Sequence, residues 1–270
     1  MNIISHTLKG FEPLPEKIIS RLQPGYNLLA ESRLGGIILE VEDRERGPAI
    51  LKIGKSRCAE DLRNEVARLN FLSGRLPVPE IFIFIEKNGC ACLLISKLQG
   101  TAGHVSCGTY SIDNIIQRYA ESLQRIHCLA VEDNSMPQAI SKIFSCAEKM
   151  VSEKKINCVE FEKATSMTPV QLLNYLEKRM GDVRENIFTH GDYCLPNIIL
   201  NTDTTSVIDW GQGAISNINR DFMSVELSIR MNFGEGYIKM FYDYYHGETP
   251  NPELIQYFLF LDQFEKYQME

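Results

Sequence analysis

Between Phe188 and Trp210 the chain reads FTHGDYCLPNIILNTDTTSVIDW, three short apolar runs separated by polar loops. Asn186 to Thr189, Ile198 to Leu200 and Ser206 to Ile208 read as strands, so Asp192, Asn197 and Asp209 fall in loops at or beyond strand ends. A lone Asp in a loop is ordinarily a turn former or a helix cap. The joint pattern, with Asn197 five residues after Asp192 and Asp209 twelve after Asn197, is more specific. Two carboxylates and an amide are hard oxygen donors that match magnesium and leave coordination positions for water and phosphate oxygens. No soft ligand is required. His190, before Gly191, is read as a histidine that packs the loop.

With 270 residues, 44% hydrophobic and 23% charged, the chain is long enough to bury a sizeable core in one large domain or two lobes. A net charge of -7 argues against a nucleic-acid partner, whose footprint is basic. It suits a cationic substrate and, equally, plain solubility. The N-terminal stretch lacks the basic start and apolar core of a secretory signal, and no run reaches transmembrane length. Eight scattered cysteines have neither zinc-site spacing nor the density of a disulfide scaffold, which predicts reduced thiols in a cytoplasmic protein. Cys90 and Cys92 fall on one face of a strand and are read as core.

The first hundred residues read as sheet-rich and the rest as helical. Strands are expected at Tyr26 to Glu31, Ile37 to Val41, Pro48 to Ile53, Glu80 to Ile85 and Cys90 to Ile95. Ser32 to Gly36 joins the first two as a small-residue turn, whose amides could face phosphates or simply close a hairpin. Lys52 interrupts an apolar strand one element before a helix, Ala59 to Leu72, that carries Glu65. Helical spacing from Ile112 to Leu129 gives a core stripe ending near His127, read as a packed or capping histidine. Further helices are expected near Gln138 to Glu153, Pro169 to Arg179, Phe222 to Met231, Tyr237 to Tyr245 and Pro252 to Lys266. Asp221 could cap the helix beginning at Phe222.

His190, Gly191, Asp192, Tyr193, Cys194, Leu195, Pro196 and Asn197 resemble the catalytic loop of the aminoglycoside phosphotransferase family, closest to its 3'-phosphotransferase branch. The resemblance runs from about Pro48 to Phe264. It implies an α+β, two-lobed protein-kinase-like fold: a small antiparallel-sheet lobe with one main helix over residues 1–95, a linker at 96–100, and a larger, mostly helical lobe over 101–270. It implies ATP or GTP as phosphate donor and Mg2+ as the metal, with Asp192 orienting and deprotonating the attacking hydroxyl and Asn197 and Asp209 as metal ligands. Lys52, paired with Glu65, would contact the nucleotide phosphates, backbone groups of Ser96 and Leu98 the adenine, and Asp221 would brace the catalytic loop.

The acceptor implied is an aminoglycoside, a small polycation phosphorylated at its 3'-hydroxyl, which would confer resistance. Candidate acids for it are Glu160 and Glu162, in a segment similar to the family's acidic substrate loop, and Asp262. Neither a membrane nor a protein partner is expected. Three departures bear on the acceptor: Gln212 stands where the branch usually carries Arg, Met231 where some members carry Glu, and five residues follow Glu265 in place of a chain end. The same machinery acting on a macrolide or a metabolite alcohol is an alternative, as is a silent nucleotide-binding relative, which would be expected to lose residues this chain keeps.

Overall fold

The computed structural model describes residues 14–31, 35–131 and 136–268. Residues 1–13, Ser32 to Leu34 of the small-residue turn, 132–135 and 269–270 lie outside them. In chain order the elements are α1 (Glu16–Ile19), β1 (Asn27–Glu31), β2 (Ile37–Asp43), β3 (Gly47–Lys55), α2 (Arg57–Leu72), β4 (Ile81–Lys87), β5 (Cys90–Ser96) and β6 (Thr101–Ala102). Then come α3 (Ile112–His127), α4 (Ala139–Ser152), α5 (Cys158–Thr165), α6 (Pro169–Arg179), β7 (Ile187–Thr189), β8 (Ile198–Leu200), β9 (Thr205–Val207), β10 (Ala214–Ser216), α7 (Asn219–Asn232), α8 (Ile238–Tyr244) and α9 (Pro252–Lys266).

The chain folds into two compact units. One takes the chain through Thr101 and then Ile198–Gln212; the other takes Ala102–Asn197 and everything from Gly213 on. This is the expected α+β architecture, an antiparallel sheet with one main helix and a mostly helical remainder.

In the first unit the sheet runs β1-β2-β3-β5-β4, antiparallel throughout. Strand side chains alternate between faces. Leu39, Val41, Leu51 and Ile53 therefore join Leu14, Ile18 and Leu22 in one apolar cluster, while Lys52 points to the other face. The hairpin β4–β5 closes on Asn88 and Gly89 at φ 52° and 73°, the paired positive values that a type I′ turn requires. On α2 the buried positions are Ala59, Leu62, Glu65, Arg68, Leu69 and Leu72, so Glu65 sits in the middle of the helix's packed stripe. The hairpin β8–β9 pairs Ile198 with Val207, and Asn201 Oδ1 accepts from the Asp203 and Thr204 N–H groups in its turn.

In the second unit Phe144, Phe161, Leu172, Leu176, Tyr257 and Phe264 belong to one core cluster. Helix starts are capped as their sequences require: Ser111 begins α3, Thr168 and Gln171 form a capping box ahead of Pro169 in α6, and Asn251 precedes Pro252 in α9.

Two sequence expectations need correction. The segment Glu160 to Glu162 is part of helix α5, capped by Asn157 and anchored through Phe161 at 5.0 Å from Phe264, so its acids stand on a helix rather than a loop. Helix α7 begins at Asn219 with Ile218 as its N-cap, so Asp221 lies inside the first turn and is not a cap. Its carboxylate is committed elsewhere.

Candidate active site

In the first unit, Lys52 is centred on two carboxylates. Its Nζ donates to Glu65 Oε1 at 2.7 Å and Oε2 at 2.8 Å, and to Asp209 Oδ1 at 3.0 Å. Lys52 and Glu65 are buried, whereas the Asp209 side chain remains 51% exposed. Burial alone would lower the Lys52 pKa, but the charges of Glu65 and Asp209 outweigh it and raise it, so the ammonium stays charged. The Trp210 backbone N–H also bonds Glu65, and the Trp210 indole donates to the Val207 carbonyl at 2.9 Å, which ties the turn after β9 to α2. Asp209 sits at φ 66°, in the left-handed region that Asp tolerates better than most residues. Lys52, Glu65, Asp209, Asp61, Gly36 and Gly211 are among the residues around a cavity of about 210 Å³.

In the second unit, the loop after β7 leaves Asp192 exposed between the buried His190 and Tyr193, with Gly191 half-buried. Asp221 holds the loop by its backbone: the carboxylate accepts from the His190 N–H at 2.9 Å and the Gly191 N–H at 2.7 Å. His190 Nδ1 accepts from the Asp192 N–H at 3.2 Å, so the ring packs and orders the turn. Tyr193 is locked to α3 by reciprocal bonds, Tyr119 hydroxyl to Tyr193 carbonyl at 2.6 Å and Tyr193 hydroxyl to Tyr119 carbonyl at 2.8 Å, with the rings stacked at 4.8 Å. Asn197 Nδ2 donates to the Asp192 carbonyl and to Oδ2 at 3.0 and 3.2 Å. These bonds engage the amide nitrogen and orient the amide oxygen away from Asp192.

Burial pushes the Asp221 pKa up, but the hydrogen bond and charge of His127, with His190 and the Gly191 N–H, hold it below the usual carboxylate range. His127 Nε2 lies 3.0 Å from Asp221 Oδ2, and its Nδ1 lies 2.8 Å from the Tyr245 hydroxyl. Asp262 behaves oppositely. Asp262 is exposed on α9, yet the neighbouring protein takes water from its carboxylate, and this, then Glu265 and Asp192, pushes its pKa up to about 6.

An enclosed lysine between two carboxylates and an exposed carboxylate on a clamped loop can hold phosphates and activate a hydroxyl. The profile of the phosphotransferase enzyme family matches residues 39–256. The chain belongs to this family of phosphotransferase enzymes. An aminoglycoside 3'-phosphotransferase of Niallia circulans is 27% identical over 93% of this chain and 97% of its own length. Among solved structures, an aminoglycoside-3'-phosphotransferase of type VIII superposes with a TM-score of 0.78 at 18% identity, covering 90% of this chain and 94% of that one. The aminoglycoside phosphotransferase APH(3'')-Id from Streptomyces rimosus, solved with ADP and streptomycin, gives 0.70 at 21% identity, covering 89% and 92%. Both share the protein-kinase-like fold.

Within the phosphotransferase fold, Lys52, Glu65 and Asp209 come together side chain to side chain, and Asp192, Asn197, His190 and Asp221 come together through backbone and side-chain bonds. Ser96 spends its N–H and hydroxyl on Glu80, and Leu98 is half-buried beyond it. Glu160 is exposed and pairs with Lys163 at 2.8 Å, and Glu162 is exposed one residue past Phe161. Sequence reasoning took His127 for a packed or capping histidine, named Gly191 in the motif without a role of its own, and passed over Arg220 and Asp61. The positive φ of 87° at Gly191 is the one feature a sequence could have flagged, through a glycine between two polar residues.

Proposed function

We propose that this phosphotransferase moves the γ-phosphate of ATP or GTP to a hydroxyl of a small cationic acceptor, most specifically the 3'-hydroxyl of an aminoglycoside, and so confers resistance. The observation that carries the reading is the enclosed Lys52, bonded to Glu65 at 2.7 Å and Asp209 at 3.0 Å beside a cavity of about 210 Å³. A cation fixed in this way suits phosphate oxygens, because it needs no reorganisation when charge develops on them. The Niallia circulans relative's name and the ADP bound to the Streptomyces rimosus enzyme support the same donor and acceptor classes.

In this reading Asp192 takes the acceptor's proton as the hydroxyl oxygen forms its bond to the γ-phosphorus. The bond from that phosphorus to the bridging oxygen breaks, and the nucleoside diphosphate leaves with the electron pair. Lys52 neutralises nucleotide phosphates, and Glu65 keeps its ammonium aimed. Ser96, with its N–H already engaged, offers its carbonyl to the adenine, and Leu98 offers a backbone group beside it. The donor chemistry of the Asn197 amide oxygen and the half-exposed Asp209 carboxylate fits Mg2+. Each residue brings an oxygen donor from its own unit, and a Mg2+ ion held by such donors would neutralise phosphate charge. Asp262, Glu160 and Glu162 are the acids proposed to meet the acceptor's ammonium groups. All eight cysteines are free thiols, and among the described residues no helix is long and apolar enough to cross a membrane. Both fit a cytoplasmic site of action.

A second reading keeps the chemistry and changes the acceptor alcohol. Gln212 favours it, since the 3'-branch usually places an arginine there. One experiment serves both: nucleotide consumption with magnesium, ATP or GTP, and aminoglycosides with and without a 3'-hydroxyl, using Asp192→Ala as the blank. Turnover only on acceptors that carry this hydroxyl supports the first reading. Nucleotide binding without turnover on any of them removes it in favour of another alcohol.

A further inference from the structure

Arg220 immediately precedes Asp221 in the first turn of α7 and is buried, 5% exposed. A Cβ built on Gly191 would lie 2.5 Å from Arg220 Nη2, 2.6 Å from Cζ and 2.7 Å from Nη1. Three guanidinium atoms nearly equidistant from one point mean that the plane lies flat against the Gly191 backbone. The carboxylates whose charges act on it are Asp221 on its own helix, Asp192 in the loop, Glu185 ahead of β7, and Glu265 and Asp262 on α9. Burial lowers the Arg220 pKa, and these acids oppose that. A buried cation is costly to keep unless its position is useful or its charge is matched.

We propose that Arg220 is a positioning residue for Asp192: its guanidinium forms the floor under the Gly191 peptide, while its charge steadies a carboxylate that shares its surroundings with Glu265 and Asp262. The dipeptide Arg220-Asp221 thus clamps one loop from two directions. Asp221 holds the N–H groups of His190 and Gly191 in the plane of the peptide, and Arg220 supports the face. Position 191 needs glycine for two separate reasons, the φ of 87° and the guanidinium against its Cα. Arginine suits the floor better than lysine, because only a planar group can lie against a peptide over several atoms.

This inference rests on Asp192 as the hydroxyl-activating group, so the experiment has one arm that depends on that reading and one that does not. In the kinetic arm, Arg220→Lys and Arg220→Met are compared with wild type for kcat and for the KM of nucleotide. Both are expected to lose about 10–100-fold in kcat, the scale of a displaced catalytic group, with nucleotide KM within about twofold. Wild-type kcat in Arg220→Met, or full rescue by Arg220→Lys, overturns the proposal. In the stability arm, Gly191→Ala is introduced into wild type and into Arg220→Ala, and urea midpoints are measured. The midpoint drop caused by Gly191→Ala is expected to be smaller in the Arg220→Ala background, because the φ penalty remains and the clash is gone. Equal drops in both backgrounds overturn the packing. Absence of turnover in the wild type on every acceptor counts against the Asp192 reading alone, and the stability arm still decides whether Arg220 supports Gly191.

Discussion

Lys52 and Asp192 are held in opposite ways. Lys52 is fixed by charge: one buried ammonium faces one buried carboxylate and a second, half-exposed one, over sequence separations of 13 and 157 residues. Asp192 is fixed by shape, because its carboxylate projects to solvent while Asp221, His190 and Asn197 bind the loop that carries it. The first arrangement fails when a charge is orphaned. The second fails when the backbone loses its mould. In the proposed reaction, a group that holds a polyanion gains from enclosed opposite charge, whereas a group that meets an exchangeable acceptor has to stay at the surface and is aimed from below.

The largest expected effect tests the second arrangement. Asp192→Ala should cut kcat by about 10²–10⁴-fold, the usual contribution of a positioned base, while nucleotide affinity by calorimetry and the thermal midpoint stay near wild type. A large loss of stability would show that Asp192 belongs to the mould after all. Next, Lys52→Met leaves Glu65 buried without its counter-ion and should destabilise by about 3–5 kcal/mol in urea unfolding. Adding Glu65→Leu should recover most of that loss without restoring activity. If the double variant is as unstable as the single one, the pair is not held by charge.

Asp221→Asn comes third. It turns an amide toward the N–H groups of His190 and Gly191 and should cost about 1–3 kcal/mol, with a parallel fall in kcat. The pH dependence follows from sign. Because the folded Asp221 pKa is depressed, its stabilisation is present above the unfolded value, near 3.8, and is lost as pH falls through the lower folded value. The wild-type advantage over Asp221→Asn should therefore narrow in acid.

Asp262 has the opposite sign. With a folded pKa of about 6, it disfavours folding above that pH, and the penalty disappears below 3.8. Asp262→Asn should raise the thermal midpoint at pH 8 and leave it unchanged at pH 3.5. In the wild type, KM for a cationic acceptor should climb as pH drops through 6, and this climb should flatten in the variant. The smallest effect is expected of Glu160→Gln, which removes an exposed i,i+3 pair with Lys163 and should cost no more than about 0.5 kcal/mol. A marked rise in acceptor KM would show that α5 reaches substrate.

Much of this was legible in the chain. The strands around HGD, the β4–β5 turn at Asn88 and Gly89, and α6 and α9 with their proline starts are written in local patterns of period and turn chemistry. The helix α5 was not, because eight residues carrying three charges hold together through tertiary burial of Phe161 and Thr165 and the Asn157 cap. The strand β10 was missed because three residues paired with β7 carry no periodicity of their own.

The sequence by itself determined which groups are available to the proposed chemistry: a lysine in an apolar strand, a glutamate in a helix's packed stripe, and Asp192, Asn197 and Asp209 at loop positions. Only the tertiary structure decided how they are held. Whether Glu65 is a surface charge or the partner of Lys52 depends on α2 lying against the Lys52 face of the sheet, a contact between segments with no local signal. Arg220 is the extreme case. Beside Asp221 in the sequence it reads as an ordinary charged pair, and only the path that brings α7 under the loop after β7 turns it into the floor beneath Gly191. Local pattern encodes the conformations a segment prefers, whereas burial and charge pairing are properties of distances that only the assembled chain possesses.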